Sequence, residues 1–109
     1  MSELDELISR ALDLSDEVDY AEDAIVSKTL LDKDAGTLTL FAIAEDQNIS
    51  EHSAPHYALA QVLDGRGEFV IDGETVSVEA GESVIMPPDI PHAVKAPENF
   101  KMLLVMIEG

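Results

Sequence analysis

The sequence predicts an all-β domain, an antiparallel sandwich or barrel preceded by one short N-terminal α-helix. From residue 24 onward, short segments alternate apolar and polar side chains with a period of two. Turn-forming residues separate these segments at intervals of about eight to twelve residues. The dipeptide Asp72-Gly73 is typical of a two-residue hairpin. No helical periodicity lies between the segments, which leaves a β-sandwich or barrel as the predicted architecture.

The first element is a predicted helix over residues 2–14. Ser2 is a suitable N-cap, and the acidic residues after it favour the positive end of the helix dipole. Because a helix this short is marginal alone, we expect it to pack on the sheet or on a partner chain. Residues 15–23 form an acidic connector, so the chain divides into an N-terminal region over 1–23 and a β-domain over 24–109. The apolar side chains of the helix share one face: Leu4, Leu7, Ile8, Ala11 and Leu12.

The β-domain contains roughly eight or nine predicted strands. The last strand is apolar on both faces, which favours either a central place in a sheet or a seam between two subunits. The predicted strands cover residues 26–31, 37–44, a segment around His52 that Pro55 interrupts, and then 57–63, 68–71, 75–78, 84–86, 92–95 and 100–107.

Composition restricts the class of protein. The 109 residues suit one domain, and 23 acidic against 6 basic residues give a formal net charge of −17. This charge argues against nucleic acid and anionic membranes as partners, since both are polyanions. It indicates a well-solvated surface or, alternatively, a high-salt cytoplasm. The absence of cysteine excludes disulfides and thiol chemistry. With no apolar leader segment and no apolar run long enough to span a bilayer, we expect a soluble cytoplasmic protein.

A spaced motif lies near the C-terminal end. Gly81, Pro87 and His92 stand at the spacing of G-x5-P-x-G-x2-H-x3-N, with Asp89 at the second glycine and Ala96 at the asparagine. The prolines stiffen this turn and offer no N–H to a sheet. They therefore end one strand just before a histidine opens the next.

A second motif lies earlier, and with the first it carries a resemblance. His52 and Gly65 match G-x5-H-x-H-x3-E-x6-G, while Asp46, Ala54 and Ala58 replace the first glycine, the second histidine and the glutamate. Together the two motifs resemble those of the cupin superfamily, specifically the small single-domain cupins, over most of residues 24–107. The resemblance implies a jelly-roll barrel, often homodimeric, with a metal or substrate site in its mouth. Only two of the family's four metal-ligating positions, His52 and His92, are retained.

The three histidines of the chain, His52, His56 and His92, are the predicted metal ligands. Imidazole suits divalent transition metals such as Zn, Fe, Ni, Mn or Cu. Residues four apart in an extended strand are about 13 Å apart, so His52 and His56 need a bend to share one ion. Pro55 favours such a bend. The alternative is that His52 and His92 face each other without metal and that His56 lies on the surface.

The two alanines at ligand positions predict a roomier and more apolar cavity. The leading function is therefore the binding of a transition metal, a small organic molecule or both in the barrel mouth. The resemblance extends this to a metal-dependent dioxygenase or isomerase, or to metal-free chemistry with His52 or His92 as general base. The alternatives are a metal-free ligand-binding or sensory protein with a decayed metal site, and a structural dimer. Candidate wall or core residues are Leu59, Val62, Val70, Ile85, Met86, Met102, Leu104 and Met106.

Overall fold

The computed structural model describes residues 3–108 of the chain. Within that range the chain forms one short α-helix, one 3-10 helix and a series of β-strands that begins at Ile25. The elements are α1 (Glu3–Leu7), the 3-10 helix (Leu14–Glu17), β1 (Ile25–Lys33), β2 (Gly36–Ile43), β3 (Asn48–His52), β4 (Tyr57–Asp64), β5 (Arg66–Ile71), β6 (Glu74–Glu79), β7 (Ser83–Met86), β8 (His92–Lys95) and β9 (Phe100–Ile107).

The strands form two antiparallel sheets that enclose the main core, which confirms the predicted sandwich. One sheet has the order β1-β2-β9-β4-β7 and the other the order β3-β8-β5-β6. Between them Phe69 and Phe100 are fully buried, with ring centroids 6.3 Å apart in an edge-to-face contact. The short alternating segments predicted a sandwich or barrel, and the resemblance to the family implied its jelly-roll form.

The predicted N-terminal helix is wrong in its length. The helix α1 ends at Leu7, and Ser9 adopts a left-handed backbone conformation with φ of 65°, which a continuing α-helix does not accommodate. Leu7 is buried, but Ile8 is 55% exposed, so the predicted apolar face is not packed along its length. The N-cap Ser2 and the side chain of Leu4 lie outside the described residues. No helix in the described range is both long and apolar enough to cross a membrane.

The N-terminal region instead covers part of the outer face of the five-stranded sheet. Val18 packs there on the buried side chains of Leu40 and Ala42. Lys101 donates from Nζ to the carbonyl oxygen of Ser15 over 2.6 Å, which ties this region to β9. The strand β9 is central in its sheet, as one of the two explanations for its apolar pattern predicted. Both of its faces are covered at this end, one by the main core and one by the N-terminal region.

The rest of the outer face carries an apolar row whose members are half-buried, except for one exposed residue at the edge. The row crosses all five strands of the sheet, because each member is the register partner of the next. Its edge residue is 64% exposed. We call this set the outer row: Leu31, Leu38, Val105, Leu59 and Ile85.

Candidate functional site

A cavity of about 320 Å³ lies between the two sheets. Among residues 3–108, the side chains that line it are apolar except for three imidazoles. No Asp, Glu, Lys or Arg of that range lines it, although the chain carries a net charge of −17. The lining residues are Ile25, Phe41, Ile49, His52, Ala54, His56, Ala58, Phe69, Met86, His92, Val94, Met102, Leu104 and Met106.

Strand alternation decides which side chains reach this cavity. Even-numbered residues of β4, β7 and β9 face inward, which places Met86, Met102, Leu104 and Met106 on the wall as predicted. Val62 belongs to the core cluster. The prediction was wrong for Leu59, Val70 and Ile85, whose strand positions turn them to the outer faces of the sheets. The sequence contained the signal for this correction, since Leu59 and Ile85 have the opposite parity to their inward-facing neighbours.

His52 and His92 lie side by side on paired strands. The two residues are register partners between β3 and β8. His56, which the metal-free alternative placed on the surface, instead lines the cavity. Their ring centroids are 4.3 Å apart with an interplanar angle of 67°. His92 is buried at 8% exposure, whereas His52 is exposed on the edge strand β3. The pair therefore joins the cavity wall to the solvent-facing rim.

The hydrogen bonds of the two rings define their tautomers. His52 Nδ1 lies 2.9 Å from the carbonyl oxygen of Ser50, and His92 Nδ1 lies 3.2 Å from the carbonyl oxygen of Ile90. A carbonyl oxygen only accepts, so each Nδ1 carries the proton and donates it. In the neutral ring each Nε2 then keeps its lone pair. Neither Nε2 has a hydrogen-bond partner among residues 3–108.

His56 lines the same cavity but has a different neighbour. Its Nδ1 lies 3.3 Å from Oε2 of Glu108. The contact has ion-pair distance without hydrogen-bond geometry, so this buried nitrogen has no hydrogen-bond partner within the described range. Glu108 is 61% exposed, and such a pair contributes little to stability. Glu108 was not among the predicted site residues, because it is far from His56 in the chain and meets it only through the sheet.

Comparison with known proteins identifies the family. Residues 39–108 match the sequence profile of the family described as "Cupin domain". The chain is a cupin. No curated protein matches its sequence.

Solved structures with similar folds agree with this assignment. A conserved protein of unknown function from Streptococcus pyogenes is 39% identical, over 93% of this chain and 89% of that one, with a TM-score of 0.89. A cupin 2 conserved barrel domain protein from Leptotrichia buccalis is 41% identical, with a TM-score of 0.84, over 86% of this chain and 46% of that one. A cupin superfamily protein from Desulfitobacterium hafniense is 23% identical over 93% of each chain, with a TM-score of 0.88, and shows the fold alone.

The departures from the two cupin motifs have structural explanations. Asp46 and Asp89, which stand at glycine positions, both adopt left-handed conformations with φ of 70° and 64°. Aspartate tolerates this region better than most residues with a Cβ, so the turns survive the loss of glycine. Ala54 and Ala58, at the two missing ligand positions, both line the cavity. Methyl groups therefore stand where the motif places an imidazole and a carboxylate.

The histidines of this cupin fit a metal ion only in part. The described residues contain no group of three or more His, Cys, Asp or Glu side chains arranged to hold an ion. His52 and His92 have suitable tautomers but supply two ligands, one fewer than catalytic zinc sites usually have. His56 lies on the same cavity, beside Glu108. The assignment of all three as ligands stays a prediction.

Proposed function

We propose that this cupin binds a small, mainly apolar organic molecule in the cavity, with the polar group of that molecule against His52 and His92. The observation that carries the proposal is an apolar cavity of about 320 Å³ with a pair of imidazoles in its wall. Binding sites for small molecules typically combine an apolar lining with a few convergent polar groups. A dry cavity of about 150 Å³ accommodates benzene, so a molecule of about a dozen non-hydrogen atoms suits this one.

Binding is favoured over catalysis by what the wall offers. Apart from the imidazoles, the lining has no acid, base or nucleophile. Acid–base catalysis in this cavity would therefore depend on the imidazoles alone, each within hydrogen-bond reach of the proton it transfers. The two rings in contact, His52 and His92, lie next to each other on one side of the cavity. A ligand-binding or sensory role requires no more than this arrangement.

The test uses variants that reduce the cavity. Ala54→Phe and Ala58→Leu place larger side chains in the wall, and Ala80→Phe is a matched control at an exposed turn position. Binding of neutral bicyclic aromatic molecules is measured by calorimetry, after thermal unfolding has shown that each variant folds. We expect at least tenfold weaker binding for the wall variants and no change for the control. Equal binding by all the proteins would place the ligand elsewhere.

A divalent transition metal on His52 and His92 is the second candidate. The observation that favours it is that both Nδ1 atoms donate to backbone carbonyls, as in metal-binding histidines, and leave Nε2 as the free lone pair. A bound ion would supply Lewis-acid polarisation of a ligand oxygen. Elemental analysis of untagged protein before and after chelation tests this. About one equivalent per chain, lost in His92→Ala, is expected for this candidate, and no uptake on reconstitution contradicts it.

We also propose that two copies pair through the outer row. Its members are half-buried except for Ile85, which is 64% exposed, and contiguous apolar surface that reaches solvent commonly marks an interaction site. A chain with a net charge of −17 repels a second copy, so pairing requires a face without charged groups. The outer row consists only of Leu, Val and Ile side chains, which meets this requirement. Its centre is the last strand, the predicted seam between subunits.

A further inference from the structure

We infer that the ligand of the cavity is a neutral molecule that donates a hydrogen bond, through a hydroxyl group, to the His52–His92 pair. The inference rests on the proposed ligand-binding function and adds the chemical class of the ligand. It follows from three features of the site: the tautomers of the two rings, the absence of charge in the wall, and the size of the cavity.

The tautomers determine the direction of the hydrogen bond. Both Nδ1 atoms donate to carbonyl oxygens of their own chain segments, at Ser50 and Ile90. Each neutral ring has one donor and one acceptor nitrogen, so the remaining Nε2 atoms can only accept. The rings lie with their centroids 4.3 Å apart, which brings both acceptors to one region of the site. A ligand group that also only accepts, such as an ether oxygen, would leave the Nε2 of the buried His92 unpaired at a cost.

The charge distribution excludes ionic ligands. An anion approaching this chain meets a net charge of −17 and finds no Lys or Arg in the cavity wall. A cation finds no carboxylate among the described lining residues, since Glu108 lies beside His56 but outside the lining and is 61% exposed. Burying an unpaired ion in an apolar site is costly, far more than burying a hydroxyl group that makes a hydrogen bond. A neutral alcohol or phenol suits the apolar wall and donates its one hydroxyl proton to one of the two Nε2 acceptors.

The size of the cavity allows a matched set of probes. 2-Naphthol, 2-methoxynaphthalene and 2-naphthoate share one bicyclic ring of the size that about 320 Å³ accommodates. They differ in the polar group, which is a neutral donor, a neutral acceptor and an anion, respectively. Differences in their binding therefore report on the polar interaction and not on the apolar contact.

The experiment is calorimetric titration of chelator-treated protein with each probe at pH 8, where imidazole is ordinarily neutral. We expect 2-naphthol to bind at least about tenfold more tightly than either of the other two, the effect of one well-placed hydrogen bond. The variant with both His52→Phe and His92→Phe keeps two planar rings but loses both acceptors. In this variant we expect the preference for 2-naphthol over 2-methoxynaphthalene to fall to within about twofold.

The outcomes separate the two proposals. Equal binding of 2-naphthol and 2-methoxynaphthalene by the wild-type protein overturns the hydroxyl inference and leaves the ligand-binding function in place. Preferred binding of 2-naphthoate also overturns it, because an anion would then be favoured at the pair over a neutral donor. If none of the three probes binds, or if binding persists unchanged in the Ala54→Phe and Ala58→Leu variants, the proposed cavity function fails as well.

Discussion

The imidazole rings of His52 and His92 meet edge to face across two paired strands, with their centroids 4.3 Å apart. The relationship is unequal, because His92 is buried and His52 lies on an edge strand. Each ring donates from Nδ1 to the backbone carbonyl two residues before it, at Ser50 or Ile90, so its orientation does not depend on the other ring. The site therefore has one imidazole supported by the protein interior and one supported mainly by its local strand.

Replacing these two residues should affect stability unequally. His92→Ala removes a buried ring together with its hydrogen bond to the carbonyl of Ile90, and we expect it to lower the free energy of unfolding by about 1 kcal/mol or more. His52→Ala acts at an exposed position and should cost less than about 0.5 kcal/mol. Urea unfolding with unchanged m-values measures both. Equal losses would mean that the burial of His92 contributes nothing to stability.

The loop between β7 and β8 depends on an unusual backbone conformation. Asp89 has φ of 64°, and its N–H donates to the carbonyl oxygen of Ala54 over 2.8 Å. We expect Asp89→Val to lower the free energy of unfolding by about 1–2 kcal/mol, because a β-branched residue is strained in this region. Asp89→Gly, the matched control, should be neutral or slightly stabilising. Thermal or urea unfolding measures both variants. An Asp89→Val protein as stable as the wild type would contradict the strain argument.

The proposed pairing through the outer row can be disrupted by one charge. Ile85 is 64% exposed at the edge of the row, and Ile85→Glu should shift the protein from dimer to monomer. Val76→Glu, at a 39% exposed position on β6 of the other sheet, should leave the dimer intact. Size-exclusion chromatography with light scattering measures the mass of each. A monomeric mass for the wild-type protein at every concentration would contradict the proposed pairing.

We expect the free energy of unfolding to fall at alkaline pH because of Tyr20. Its hydroxyl donates to Oδ2 of Asp64 over 2.6 Å. Burial, followed by the hydrogen bond and the charge of Asp64, raises the pKa of Tyr20 above its usual range. An acid whose pKa is raised by folding contributes stability that is complete below the unfolded pKa of about 10 and is lost as the pH rises. We expect Tyr20→Phe to remove this alkaline decline.

That prediction is tested by how the free energy of unfolding changes with pH, and not by its value at one pH. Tyr20→Phe should also lower stability at neutral pH, by about 1 kcal/mol for one hydrogen bond. The informative quantity is therefore the change in unfolding free energy between pH 8 and pH 11 in each protein. If wild type and variant lose stability in parallel over this range, the Tyr20–Asp64 contact is not the cause.

The β-strands and much of the cavity wall could be predicted because they depend on local alternation. The inward positions of Met86, Met102 and Met106 follow from the period of two once one member of each strand is placed. The N-terminal helix could not be predicted in the same way. Its apolar spacing continues past Leu7, but the chain turns at Ser9 and packs against the sheet through Val18 instead.

The sequence by itself determined the strand pattern, the turns with left-handed residues, and the replacement of two polar ligand positions by alanine. These features are properties of single residues and of their near neighbours along the chain. Only the tertiary structure decided that His52 pairs with His92 while His56 lies beside Glu108. It also decided that the outer row continues across five strands. The physical reason is that register between strands distant in sequence depends on the packing of the whole sandwich, which no local pattern encodes.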